Sequence, residues 1–240
     1  MCTVTFIVKK KGYYFLTSNR DEAPKRSATD LIEIVQNDKT IVFPQDPQAK
    51  GTWIAASNRN QLVCLLNGAF HKHDRRPPYR MSRGLMVLQF FKYSNADHFF
   101  EEFDFKGMES FTMIIFDKGN LYEFRWDEQQ RHIKKLNPEK KHIWSSCTLY
   151  PLDWQQKRIS WFEDWQKEIK HFDQSSILHF HKNSGEGNLA YDIVMNRKDI
   201  VRTVSITSMF LSPNNIQISH EDLLNEKIGK HELELESKLY

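Results

Sequence analysis

Apolar and polar positions change period several times along the chain. Residues 3–8 and 13–17 are runs of β-branched and aromatic side chains, and Lys9, Lys10, Lys11 and Gly12 between them form a polar turn, so the pattern predicts a hairpin. If Lys10 and Lys11 make the turn, Thr3 opposes Ser18. If Lys11 and Gly12 make it, Thr3 opposes Arg20. Either register sets Cys2 against residues 19–21, with cross-strand neighbours about 5 Å apart. A second hairpin is predicted from 52–56 and 61–66, joined by the turn Ser57, Asn58, Arg59, Asn60 and ending at Asn67 and Gly68. Further strands are predicted at 111–116, 120–126, 142–147, 201–208, 214–219 and 231–236.

Helical spacing interrupts these strands in blocks. Ser82 is a candidate cap for a helix over 83–93, where Leu85, Met86, Leu88, Phe90 and Phe91 are apolar nearly all round, as in a buried helix. Asp153 is a candidate cap for the next, in which Trp154, Trp161, Phe162, Trp165 and Ile169 recur near the helical period and share a face. A shorter helix is predicted over 175–182, and 134–141 reads as a solvated loop. Many antiparallel strands with helices gathered in blocks indicate an α+β layered domain, not alternating βαβ units. No internal repeat and no Pro, Gly or Ser linker divides the sequence, and the expectation is one domain over residues 1–240.

Composition narrows the function classes. Charged residues make 27% and hydrophobics 40%, with 17 Phe and 6 Trp, the balance of an ordinary globular protein. A formal charge of +3, with Lys and Arg interspersed among Asp and Glu, is not the basic footprint of a nucleic-acid binder. No apolar run approaches the roughly 18 to 20 residues that span a bilayer, and the start lacks the layout of a signal peptide. The expected location is therefore cytoplasmic. Three cysteines, Cys2, Cys64 and Cys147, without a close-spaced pair, argue against a disulfide framework and a zinc site. His71 with His73, and His179 with His181, stand two apart, which shares a face only in a strand. A loop and a helix are their expected settings, so no metal is expected. The same loop carries Lys72, Arg75 and Arg76 soon after Asn67 and could form the mouth of a site for an anionic substrate.

The chemistry centres on Cys2. Removal of Met1 leaves a terminal cysteine whose thiol and α-amine sit on one residue, and an amine titrating near ~8 can take the thiol proton. Such a nucleophile needs a carboxylate to orient the amine, a cation near the thiolate and donors aimed at the oxyanion. Asp21 can hold the ammonium, Arg20 can favour the thiolate or bind a substrate carboxyl, Asn67 can donate to an oxyanion, and Asn19 stands beside them as a substrate contact.

Met1-Cys2-Thr3, Ser18-Asn19-Arg20-Asp21-Glu22, Gly51-Thr52-Trp53, Leu66-Asn67-Gly68 and Ser82-Arg83-Gly84-Leu85 occur in that order, and as a set they resemble the NRDE family, also called the Transport and Golgi organisation 2 family. The resemblance continues more loosely to about residue 210. That family is similar to the N-terminal-nucleophile hydrolases of the choloylglycine hydrolase and penicillin V acylase group. The resemblance implies a four-layer αββα sandwich in which Cys2 is nucleophile and base, Asp21 orients it, Asn67 is an oxyanion donor and Arg202 is an active-site arginine. It implies a small acyl or amide substrate and no cofactor. A second acylase asparagine is missing, and Ser146 stands nearest its place, with a shorter arm. The rival implied by the same family is a non-enzymatic protein that carries haem or another small ligand, with His71, His73 or Cys2 as haem ligands.

Overall fold

A computed structural model describes residues 3–28 and 30–236, and in it the sequence alternation becomes two antiparallel sheets. Six strands come first: β1 (Thr3–Lys10), β2 (Tyr13–Glu22), β3 (Leu31–Gln36), β4 (Lys39–Pro44), β5 (Ile54–Ser57) and β6 (Gln61–Asn67). Helices α1 (Arg83–Phe90) and α2 (Ala96–Glu102) precede β7 (Phe111–Asp117), β8 (Asn120–Trp126), β9 (Arg131–Leu136) and β10 (His142–Ser145). Helices α3 (Leu152–Glu168) and α4 (Gln174–Asn183) precede β11 (Asn196–Arg197), β12 (Val201–Leu211), β13 (Asn215–Asp222) and β14 (Lys227–Glu234).

The middle of the chain forms a meander in sequence order, β3 to β9. The two ends build the other sheet, ordered β10-β1-β2-β12-β13-β14 with β11 beside β12. Period-two alternation gives each sheet two apolar faces. Val4, Phe6, Leu16, Ile54, Cys64, Ile114 and Met209 pack between the sheets. Ile7 and Phe15, on the opposite face of the first sheet, meet Phe162, Trp165, Ile177 and Phe180 of α3 and α4. Val63, Met113 and Phe124 of the meander meet Met86, Phe90, Phe99 and Phe100 of α1 and α2. The layers are therefore helix, sheet, sheet, helix, the α+β sandwich that the family resemblance implies.

The first hairpin falls between the two predicted registers. Lys10 opposes Tyr13 across a Lys11–Gly12 turn, with Gly12 at φ 84°, and a bulge at Lys9 then slips the pairing so that Thr3 opposes Asn19. Other differences have local causes. Helix α3 starts two residues earlier than an Asp153 cap requires: Pro151 occupies the N-cap, and Asp153 lies in the first turn beside the positive end of the dipole. Helix α1 stops at Phe90, and α2 begins after Asn95, whose side chain accepts from the His98 N–H at 2.8 Å. The stretch expected to be a loop from 134 is in part β9, an exposed edge strand whose charged residues protect the sheet edge.

Candidate active site

Strand β2 splits its polar cluster between two faces. Asn19 and Asp21 face α3 and α4, and Arg20 faces the other sheet. Asn19 is fully buried: its amide donates to the carbonyls of His181 (2.9 Å) and Ile193 (3.3 Å), and its oxygen accepts from His181 Nδ1. Asp21 is 2% exposed, with Tyr150 Oη donating to one oxygen and Thr203 Oγ1 to the other, both at 2.6 Å. Thr203 reaches Asp21 because β12 carries a bulge at Val204: Thr203 opposes Asp21 while Ser205 opposes Arg20.

Arg20 is 2% exposed, with its guanidinium carbon 4.1 Å from the Trp53 ring centroid, its Nη2 on Asp46 and its Nη1 on the Arg26 carbonyl. Burial pulls the Arg20 pKa below its ordinary value, opposed by the Asp46 charge. Burial alone would raise the Asp46 carboxyl, yet the Ala49 N–H, the Arg26 hydrogen bond and the charges of Arg20 and Arg26 together hold it below its usual range. Arg26 closes the network on Asp46 (2.6 Å) and Glu22 (2.8 Å). Asp46 lies in a loop after β4, and only the Asp46-Pro47 turn signal marks it in the sequence.

Asn67 ends β6, and its side-chain amide makes no hydrogen bond with the described residues. Its backbone is fixed: the carbonyl accepts from Ser146 Oγ at 2.9 Å, and Gly68 N–H donates to Ser110 O at 3.1 Å. Gly68 sits at φ 79°, and a Cβ there would lie 2.5 Å from Cys147 Sγ, so the Asn67-Gly68 pair answers to both conformation and space. Arg83, at the start of α1, donates to the same Ser110 carbonyl (2.8 Å) and pairs with Glu109 (3.3 Å). The loop 45–53 meets this helix start backbone to backbone, since a Cβ on Gly51 would lie 2.3 Å from the Gly84 carbonyl carbon. Both glycines belong to the sequence motifs singled out above.

These walls enclose a cavity of about 560 Å³ lined by Arg20, Arg26, Trp53, Asn67, Arg83 and Glu109 among others. Arg75, Tyr79 and Met81 of the preceding loop also line it, and Glu109 holds Arg75 (3.3 Å) and His73 (3.4 Å). Asp21, Asn19, Ser146 and Arg202 do not line it. Ser146 is spent on the Asn67 carbonyl and on Thr148 Oγ1 at 3.0 Å. Arg202 opposes Glu22 across the strands and pairs with Asp199 at 3.3 Å, while its Nε is buried without a partner among the described residues. Cys2 lies outside the described residues. Cys64 and Cys147 are both pushed up by burial, Cys64 to about 12. Among the described residues no three His, Cys, Asp or Glu side chains gather to hold a metal, and no helix is long and apolar enough to cross a membrane.

This layered architecture is that of the N-terminal-nucleophile hydrolases. A mutant of the conjugated bile acid hydrolase from Clostridium perfringens is similar at TM-score 0.63 and 11% identity, over 96% of each chain. The Caenorhabditis elegans ortholog of N-acylethanolamine-hydrolyzing acid amidase is similar at TM-score 0.58 and 13% identity, over 87% of this chain and 92% of that one. At these identities the likeness is one of fold. The sequence belongs to the Transport and Golgi organisation 2 family, whose profile matches residues 1–221. No curated protein sequence matches it significantly.

Proposed function

We propose that the protein is a cysteine N-terminal-nucleophile hydrolase that cleaves a linear amide or related acyl bond through a thioester at Cys2. The observation that carries this reading is the pairing of Asp21, fixed by two hydroxyl donors beside the end of β1, with the unspent amide of Asn67 in the cavity wall. Thr3, one peptide bond from Cys2, is fully buried opposite Asn19, so β1 delivers its first residues to the strand that carries Asp21 and Arg20. Both described cysteines are held as thiols by burial, which leaves Cys2 as the candidate nucleophile.

In this mechanism the Cys2 thiol gives its proton to its own α-amine, oriented by Asp21, and the sulfur attacks the acyl carbon. Asn67 donates to the resulting oxyanion. Collapse breaks the C–N bond as the ammonium proton passes to the leaving amine, and water then cleaves the thioester to the acid and restores the thiol. Ser146 acts through Asn67, by holding its carbonyl, and Asn19 by holding β2 against α4. Arg20 has both terminal nitrogens committed, so its role is to tie Asp46 and Trp53 into the cavity wall.

The cavity also bears on the substrate. Its carboxylates are occupied by arginines, whereas Trp53 Nε1 and Arg26 Nε are buried donors without acceptors among the described residues. Two buried donors beside the Asn67 amide suit a substrate whose polar end carries acceptors. Intact mass of the native protein should show loss of Met1, and a panel of N-acyl amides should include a substrate whose turnover disappears in Cys2→Ala while the fold persists. Turnover by Cys2→Ala, or mature protein that keeps Met1, would overturn the reading. A ligand carrier on the same scaffold is the second reading, favoured by the commitment of Ser146 to Asn67, which leaves one side-chain donor where the acylases have two. Such a carrier would bind members of the panel without turnover.

A further inference from the structure

Helix α3 covers the first sheet with a mostly aromatic face, but at its centre it buries Arg158 completely. The guanidinium lies 3.5 Å from the Tyr150 ring centroid. Its nitrogens donate to Thr3 Oγ1 (3.2 Å) and to the carbonyls of Trp154 (3.2 Å), Asp192 (3.0 Å) and Tyr191. A second guanidinium, Arg197, stands 5.5 Å from the same ring, held by the carbonyls of Ala190 (2.9 Å) and Leu149 (2.8 Å). Neither has a carboxylate within ion-pair distance among the described residues. A buried charge without a counter-ion is costly, and carbonyls satisfy its hydrogen bonds without cancelling the charge. Tyr150, against which both guanidiniums lie, is the residue that donates to Asp21.

We propose that Arg158 is a positioning residue for the N-terminal cysteine, its uncompensated charge beside Thr3 favouring the thiolate and the free amine at Cys2. The inference rests on the reading of Cys2 as nucleophile. In a low-dielectric setting a cation acts over several ångströms, and it stabilises an adjacent anion while opposing a second cation, so it lowers the proton affinity of thiol and amine together and keeps the amine free at neutral pH. The other charged and titratable groups around this point are few. From β2 come Asp21 and Glu22, from β12 Arg202, and from α4 His181, which is hydrogen-bonded to Thr5 at 2.8 Å. From α3 come Asp153 and Lys157, the latter paired with Glu186. The Asp192 carboxylate is turned to the N–H groups of Glu186 (3.0 Å) and Gly187 (2.9 Å).

A purely structural staple would predict something different, and the pH dependence of Cys2 alkylation separates the two. The probe is iodoacetamide, with the modified residue mapped by mass and melting recorded for each protein. Arg158→Met should raise the inflection of the Cys2 profile and slow alkylation at pH 7 about tenfold, the ratio that one unit of pKa gives. Arg158→Lys keeps the charge but breaks the planar fork, so it should melt lower than the native protein while its inflection stays put. If Arg158→Met does not fold, Arg158→Gln gives the same readout in its place: a raised inflection in Arg158→Gln with an unmoved profile in Arg158→Lys supports the proposal, and a native profile in Arg158→Gln, or an Arg158→Lys profile moved to that of free cysteine, overturns it. A folded Arg158→Met with the native profile also overturns it, while the nucleophile reading stands. Native protein that keeps Met1, or whose Cys2 alkylates no faster than free cysteine, overturns that reading and this inference with it.

Discussion

The two helical layers solve one packing problem with different chemistry. Over the meander, α1 and α2 are held by aromatic rings: Phe99 alone has Phe90, Tyr93, Phe103 and Phe105 at centroid distances of 5.1–5.4 Å. Over the sheet that carries Asp21, α3 and α4 combine an aromatic patch with buried polar groups. Thr3, Thr5, Asn19, Asp21, Arg158, His181 and Thr203 are all 2% exposed or less. Aromatic burial is strong but tolerant in direction, whereas a hydrogen bond fixes an angle. The difference indicates that the meander layer carries stability and the polar layer fixes where the site carboxylate stands.

The sharpest way to break this comparison is to remove one anchor from each layer. Phe99→Ala should lower stability by about 3–5 kcal/mol, the cost of a large cavity in a dense core. Hydrolysis per folded molecule should stay unchanged, and denaturant titration alongside a turnover assay reads both. Thr203→Val, nearly isosteric, removes one donor from Asp21 and leaves the Met195 N–H, 2.9 Å from Thr203 Oγ1, without its acceptor. We expect about 2 kcal/mol less stability, from two unsatisfied buried groups, and a larger fractional loss of turnover than Phe99→Ala causes. Should Thr203→Val turn over at the native rate, Asp21 is not held for catalysis.

How much of this was legible depends on the range of the interaction. The first hairpin and the apolar spacing of Phe162 and Trp165 are local signals and both form, although the pattern leaves two turns open and the bulge at Lys9 gives a register between them. Strand β9 was hidden because Arg131, Lys134 and Lys135 on an edge look like a solvated loop, and α2, at seven residues, is too short to show a period. Asn19, Arg20 and Asp21 were visible as a cluster, but only the strand period shows that they serve two faces. Asp46 and Glu109 were missed because each is a loop carboxylate whose meaning comes from an arginine distant in sequence: Arg20 for one, Arg83 for the other. Gly51 and Gly84 stood out as motif letters, while their reason, two backbones in contact, exists only in three dimensions.

The smallest effect sharpens the comparison most, because it acts on one layer only. His181 and His220 are the buried histidines among the described residues: His181, on α4, packs on the sheet that carries Asp21, and His220, on β13, belongs to it. His181 Nδ1 must donate to Asn19 Oδ1, since the Asn19 amide is spent on two carbonyls, so Nε2 accepts from Thr5 and the ring is neutral. Burial lowers its pKa to about 3 from 6.5, and burial also lowers that of His220, whose ring bridges Thr207 and the Ala28 carbonyl at 2.8 Å each. Between pH 6.5 and about 3 the unfolded chain therefore takes up a proton at position 181 that the folded chain refuses, and stability falls as pH falls. For His181 the loss is about 2 kcal/mol at pH 5 relative to neutral pH. Asp46 and Asp222, whose carboxyls are held below their ordinary range, add a loss of the same sign at lower pH. The check is hydrogen exchange together with denaturant titration at pH 7 and pH 5. Amides of α4 and β2 should lose protection at pH 5 before those of α2 and β8, and His181→Gln should remove nearly one proton from the pH slope of stability. Equal loss in both layers, or an unchanged slope in the variant, would mean that the polar layer is not what acid opens.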